Sequence, residues 1–110
     1  MTELVRRRSE ARGPVVVVTL SGEIDLSNAT ELERGILHDA ADHRMIVLDL
    51  TEVDYLDSSA VRLIHTLHLQ LTSAGRQLQL VAPHGSLAGN VIELTATDKV
   101  IPTVEAPPAL

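Results

Sequence analysis

The segment Asp57-Ser58-Ser59 is the part of the sequence whose residue types best suit a chemical role. It directly precedes an apolar series that begins at Ala60 and recurs at helical spacing. The hydroxyl groups are therefore predicted to lie at a helix N-terminus, where backbone N–H groups are unpaired. Capping explains Asp and Ser there without any further function, but a phosphate would also be accepted, because helix N-termini attract anions. The residues alone leave both interpretations open.

A second polar cluster, Gly22-Glu23-Ile24-Asp25, follows another apolar run, just as residues 54–57 follow the next one. If each run is a parallel strand, both clusters follow the carboxyl ends of strands, which lie at the same edge of the sheet. We therefore expect the two clusters to form one surface. A phosphate on Ser58 would add about two negative charges beside Asp57. Such a charge would repel an acidic or apolar partner.

Catalysis by the same serine needs a base, and His65 and His68 are the candidates. His65 lies roughly 10 Å along the helix axis from Ser58, at about 1.5 Å per residue, and the chain has no Gly-x-Ser-x-Gly elbow. The two histidines have the spacing of metal ligands, but no third ligand is evident, so both are predicted to face solvent. No Gly-x-x-x-x-Gly-Lys phosphate loop occurs. We therefore expect no enzyme, no metal and no cofactor.

The composition excludes several further classes of protein. The chain has 110 residues, which fit one domain, and a net charge of −6, which opposes direct binding to nucleic acid or to a membrane surface. It has no cysteine, which excludes disulfides and a cysteine nucleophile. Tyr55 is its single aromatic residue, so the core must be aliphatic. The charged N-terminus and the lack of a long apolar run predict a cytoplasmic protein.

Hydrophobic periodicity places the two clusters on a small α/β domain. Continuous apolar runs predict buried strands, and apolar residues at three- and four-residue intervals predict amphipathic helices. Asn28 and Glu31 are expected to form a capping box at the start of the first helix. Strands are expected at 4–9, 15–20, 45–50, 77–82 and 100–104, helices at 27–42, 60–74 and 86–94, and turns or loops at 10–13 and 51–57.

The order of these elements is typical of one α/β domain spanning residues 1–110. It predicts a mixed sheet of four or five strands, an N-terminal hairpin and three or four helices. Residues 1–3 and 105–110 are predicted to be frayed ends.

Taken together, the clusters and the element order make the chain resemble the STAS-domain anti-sigma factor antagonists of the sporulation and general-stress type. The resemblance covers nearly the whole chain and implies a STAS fold. It also implies that Ser58 is phosphorylated by a GHKL-type kinase that doubles as the anti-sigma factor. Phosphorylation would release this partner, and a PP2C-type phosphatase would restore binding. The residues that carry the resemblance are 20–25, 47–50, 53–60, 81–83 and 94–102.

Two positions depart from the family's pattern, because Ala60 and Arg62 stand where the family commonly has glycine. Arg62 could pair with a phosphate or select a particular partner. The alternative function is a STAS scaffold or nucleotide-sensing subunit of a larger signalling complex, without its own phospho-switch. The length of the chain favours the regulator. The residues expected to contact a partner are Gly22, Glu23, Asp25, Asp57, Ser58 and Ser59, together with Val61, Arg62 and His65, which lie off the buried stripe of their helix.

Overall fold

Within residues 4–109, five strands form one sheet in which the spatial order follows the chain order. In this computed structural model, which describes residues 4–109, the first two strands are antiparallel and the others continue in parallel from the second. This mixed sheet with an opening hairpin confirms the predicted fold class. The strands are β1 (Val5–Arg12), β2 (Val15–Ile24), β3 (Met45–Leu56), β4 (Gln77–Val81) and β5 (Thr103–Val104).

One face of the sheet is covered by α1 (Ala29–Ala40), α2 (Ser58–Ser73) and α3 (Leu87–Leu94). Buried side chains of these helices join a single core with alternate residues of the strands, such as Val18 and Leu48. The core is aliphatic, as the composition requires. Among the described residues, every helix is too short or too polar to span a lipid bilayer.

The opposite face of the sheet carries a smaller apolar cluster made of strand residues only. Val17, Val47 and Val81 are buried in it. A cavity of about 400 Å³ adjoins Val17, and Pro107 and Pro108 help to line it. Pro107 and Pro108, which belong to the segment 105–110 that the sequence predicts to be frayed, therefore lie beside this face. The other residues with that prediction, 1–3 and 110, lie outside the described part of the chain.

The strands β2 and β3 continue well beyond the runs that periodicity predicts. Residues 51–56, predicted to be a loop, are the second half of β3, and β2 continues to Ile24. The prediction is wrong because two register shifts each place one extra residue in β3. Bulges of this kind break the alternation of buried and exposed residues by which a strand is recognised. The pairs on either side of the two shifts are Thr19–Asp49 and Ser21–Glu52, then Gly22–Val53 and Glu23–Tyr55.

Smaller differences concern the ends of other elements. β1 runs to Arg12, so the hairpin turn is Gly13-Pro14 instead of residues 10–13. The last strand is only Thr103–Val104, because a 3₁₀ turn at Thr97–Lys99 and a bend after it occupy the preceding residues. Neither difference concerns β2, β3 or α2, the elements next to Ser58.

Candidate functional site

Asp57 caps α2, as the sequence predicts. Its Oδ1 atom accepts hydrogen bonds from the backbone N–H groups of Ser59 and Ala60, at 2.8 and 3.2 Å. One carboxylate oxygen therefore satisfies two of the N–H groups that a helix start leaves unpaired. Its negative charge also lies at the positive end of the helix dipole. Asp57 thus has a structural role that does not depend on any partner.

We expect Asp57→Ala to lower the free energy of unfolding by about 1–2 kcal/mol, because two N–H donors lose their acceptor. Urea unfolding followed by circular dichroism measures the change. Asp54→Ala is the matched control, since Asp54 is exposed, caps no helix and should change stability by less than about 0.5 kcal/mol. Equal losses for the two variants would show that capping by Asp57 is not what stabilises α2.

Ser58 is the first residue of α2 and is exposed. Its hydroxyl makes no hydrogen bond with any of residues 4–109. Ser59 is half-buried, and its N–H is held by Asp57. A group added to the Ser58 hydroxyl would enter solvent without displacing a native contact. The structure therefore separates the capping residue from the residue that is accessible for modification.

Gly22 has a backbone role within β2. Its φ angle is +97°, and a Cβ atom there would lie 2.2 Å from the carbonyl oxygen of Leu4. The same carbonyl accepts a hydrogen bond from the N–H of Glu23 at 2.7 Å. Any side chain at Gly22 would therefore collide with the main chain just before β1.

Asn28 ties the polar end of β2 to the turn that follows it. Its Oδ1 accepts a hydrogen bond from the Asp25 N–H at 3.1 Å, and its Nδ2 donates to the Glu23 carbonyl at 2.9 Å. Asp25 is half-buried and accepts hydrogen bonds from the N–H and hydroxyl of Ser27. The predicted capping box of Asn28 with Glu31 is wrong, because the Asn28 side chain holds this turn and makes no cap bond to α1. The Glu23 side chain is exposed.

The two acidic clusters lie side by side where β2 and β3 end together. Glu23 on β2 pairs with Tyr55 on β3, and the Asp57 N–H donates to the Ile24 carbonyl at 3.3 Å. The clusters meet along two extended strands, and not in loops after shorter strands as the sequence suggests. Ser58 follows directly after this meeting point.

The other footprint residues predicted on α2 differ in their surroundings. Arg62 is exposed, and its guanidinium makes no ion pair with residues 4–109. Val61 is half-buried against the core. His65 Nε2 lies 3.1 Å from Thr97 Oγ1 and so joins α2 to the 3₁₀ turn. The prediction that His65 and His68 face solvent is wrong, since both are half-buried and His68 Nδ1 has no hydrogen-bond partner among the described residues.

Leu26, Tyr55 and Leu4 are exposed apolar residues at this end of the sheet and are absent from the predicted footprint; Leu4, 43% exposed, lies beside Glu23. Leu26, in the turn after β2, is 80% exposed, and Tyr55 is 47% exposed. The one sequence signal for Tyr55 is that it is the single aromatic residue of the chain. Periodicity gives no signal for Leu26, because it lies in a turn between two elements.

The sheet, with helices on one face and an exposed serine at the start of α2, defines a small α/β domain. The model of the STAS domain matches residues 6–107, so the chain belongs to the STAS domain family. Its structure is similar to that of an anti-sigma factor antagonist from Mycobacterium paratuberculosis, with a TM-score of 0.81. The identity is 29%, over 93% of this chain and 86% of that one.

Two solved structures of SpoIIAA show the same fold at lower identity. SpoIIAA, an anti-sigma factor antagonist in its unphosphorylated form, has 18% identity and a TM-score of 0.65, over 93% of this chain and 90% of that one. The Bacillus cell fate determinant SpoIIAA in its phosphorylated form has 18% identity and a TM-score of 0.67, over 90% and 91%. The chain thus has the fold of anti-sigma factor antagonists. No curated protein matches it.

Proposed function

We propose that this protein is an anti-sigma factor antagonist that is switched off by phosphorylation of Ser58. The observation that carries the proposal is the position of Ser58, exposed and first in α2 of a STAS domain. Because Ser58 is exposed, its hydroxyl can enter a kinase active site without local unfolding. The hydrogen bonds from Ser59 and Ala60 to Asp57 keep the start of the helix in place.

In the proposed cycle, the unmodified protein binds an anti-sigma factor that is also a GHKL-type serine kinase, and a sigma factor is freed for transcription. Phosphorylation of Ser58 ends the binding, and a PP2C-type phosphatase restores it. The family resemblance supports this cycle, as does similarity to SpoIIAA structures in unphosphorylated and phosphorylated forms. The protein is a substrate and a binder in the cycle and catalyses no reaction.

The charge of the chain supports action through a protein partner and not through DNA. With a net charge of −6, the surface lacks the basic field that attracts phosphate backbones. Transcription would be regulated indirectly, because this protein and the sigma factor would compete for the anti-sigma factor. We place this competition in the cytoplasm, where the proposed kinase meets its sigma factor.

Phosphorylation would change the surface and leave the fold intact. The N-terminal end of α2 tolerates a nearby anion through its dipole, although Asp57 already accepts hydrogen bonds from the N–H groups of Ser59 and Ala60. At an interface, by contrast, about two extra negative charges would have to lose water, which opposes docking. Arg62 lies one helical turn after Ser58, so we assign to it the selection of a particular partner.

The direct test is to incubate the protein with ATP and each GHKL-type anti-sigma factor kinase encoded in the same genome. Intact mass spectrometry and site mapping should then show one phosphate, on Ser58, which Ser58→Ala abolishes. Ser59→Ala is the matched control, and it should be phosphorylated as fast as the wild type.

Phosphate on Ser59 in the wild type would contradict the assignment of Ser58. If none of the candidate kinases modified the protein, the phospho-switch would be wrong. The scaffold or nucleotide-sensing role in a larger complex would then become the better hypothesis.

A further inference from the structure

Leu26 and Tyr55 are exposed apolar residues near the ends of the two strands that precede α1 and α2. Leu26 is 80% exposed in the turn after β2, and Tyr55 is 47% exposed near the end of β3. The two strands run side by side here, and Glu23 pairs with Tyr55. Both apolar side chains therefore lie at the end of the sheet from which α2 and Ser58 begin.

The geometry of β3 holds Tyr55 outside the core. One of the two register shifts falls between Val53 and Tyr55. Val53 and Leu56 are buried in the core, whereas Asp54 and Tyr55 are exposed between them. Bulges re-aim side chains in this way and are frequent beside functional sites. The single aromatic residue of the chain is thus presented to solvent, although its apolar ring would suit a core.

Exposure by itself does not identify a docking surface, because single apolar side chains are common on protein surfaces. Leu94 at the end of α3, for example, is 86% exposed. The charges nearby distinguish Leu26 and Tyr55. Glu23 and Asp54 are exposed on the same two strand ends and make no ion pair with residues 4–109. Exposed apolar side chains on strand ends that also carry unpaired carboxylates are complementary to an apolar pocket with a basic border.

We infer that Leu26 and Tyr55 are the apolar centre of the surface that docks the anti-sigma factor, with Glu23 and Asp54 as its charged rim. The inference rests on the proposed function. It specifies a partner that offers an apolar pocket bordered by lysine and arginine. The centre supplies affinity, because buried leucine and tyrosine side chains dominate binding at interfaces. The rim accelerates association, because unpaired carboxylates attract a cationic surface over a distance.

The same arrangement accounts for release by phosphorylation. Ser58 lies three residues after Tyr55, so a phosphate on it would have to lose water as the apolar centre is covered. The cost of removing water from a dianion exceeds the attraction that an exposed cationic rim returns. A phosphate on this acidic surface therefore weakens docking, although the partner's rim is basic.

Calorimetric titration of purified anti-sigma factors from the same genome tests the apolar centre. Leu26→Ser and Tyr55→Thr should each raise Kd at least about tenfold. Leu26 is 80% exposed, so Leu26→Ser should leave the melting temperature unchanged, whereas Tyr55→Thr, at a position 47% exposed, should lower it by no more than about 5 °C. Leu94→Ser, which removes a more exposed leucine, is the matched control and should change Kd less than about twofold. Tyr55→Phe keeps the ring and should bind like the wild type.

The rim is tested by the double variant Glu23→Gln, Asp54→Asn in stopped-flow association. Its association rate constant should be at least about fivefold lower than that of the wild type at roughly 50 mM salt, and the two should converge near about 500 mM. The dissociation rate constant should be unchanged. Identical salt dependence in the two proteins would exclude Glu23 and Asp54 from the rim.

Three outcomes separate this inference from the proposed function. If phosphorylation releases the wild type but Leu26→Ser and Tyr55→Thr bind normally, the docking surface is wrong and the proposed function stands. If Leu94→Ser weakens binding as much as Leu26→Ser does, the apolar centre is wrong as well. If no anti-sigma factor binds the wild type, both the inference and the proposed function fail.

Discussion

Replacing Gly22 with alanine is expected to lower the free energy of unfolding by about 3 kcal/mol. The φ angle of +97° strains any residue that has a Cβ atom, and this atom would also lie 2.2 Å from the Leu4 carbonyl oxygen. Moving Leu4 away would lengthen its hydrogen bond from the Glu23 N–H, now 2.7 Å. Because this bond joins the start of β1 to β2, the loss should also expose β1 to hydrogen exchange.

Gly85→Ala is the matched control for this prediction. Gly85 also has a positive φ angle, +85°, but a Cβ atom there would meet nothing within 4 Å. It should therefore show only the conformational cost, about 1 kcal/mol. Denaturant unfolding of both variants gives their losses in free energy of unfolding, provided that the m-value is unchanged. The difference between the two losses is the cost of the contact between the new Cβ atom and the Leu4 carbonyl. Equal destabilisation at the two glycines would mean that Leu4 moves aside freely.

Phosphoserine at position 58 should raise the Kd for the anti-sigma factor at least about a hundredfold. The free energy of unfolding should change by less than about 1 kcal/mol, because the anion lies at the N-terminal end of α2. Genetically encoded phosphoserine gives the homogeneous protein that calorimetry and thermal unfolding require. Loss of binding with an unchanged melting temperature would separate a surface switch from unfolding.

Ser73 provides the control on the same helix. It is exposed at the last position of α2, the end opposite to Ser58. Phosphoserine at position 73 adds the same charge to the protein, so a general charge effect would weaken binding there too. We expect less than about a twofold change in Kd for it, because the two sites are roughly 22 Å apart along the helix. Equal weakening at both positions would contradict a switch located at Ser58.

The local features of α2 were predictable because they depend on neighbours in the sequence. Asp57 before the apolar series that starts at Ala60 predicted a cap, and the cap is present. The same local reasoning failed at Asn28, whose side chain holds the turn between Glu23 and Asp25. The Asn28 side chain could bond either to the start of α1 or to the preceding turn. The path of the chain in space decides between them, and a residue pattern does not contain that path.

The extension of β2 and β3 is the feature that periodicity missed. Residues 51–56 combine acidic side chains with an irregular spacing of apolar ones, which is typical of a loop. They form a strand because β2 offers unpaired backbone groups alongside them, and two bulges absorb the irregular spacing. The accessible face of Tyr55 is a result of one of these bulges.

The sequence by itself determined the fold class, the cap on α2 and the place of Ser58 at the start of that helix, because each follows from contacts within a few residues or from a family pattern. Only the tertiary structure decided that the Leu4 carbonyl leaves no room for a side chain at position 22. It also decided that His65 joins α2 to Thr97 and that Leu26 and Tyr55 are exposed at the end of the sheet where α2 begins. These facts depend on pairing between segments far apart in the chain. Such pairing is set by the packing of the whole sheet and its helices.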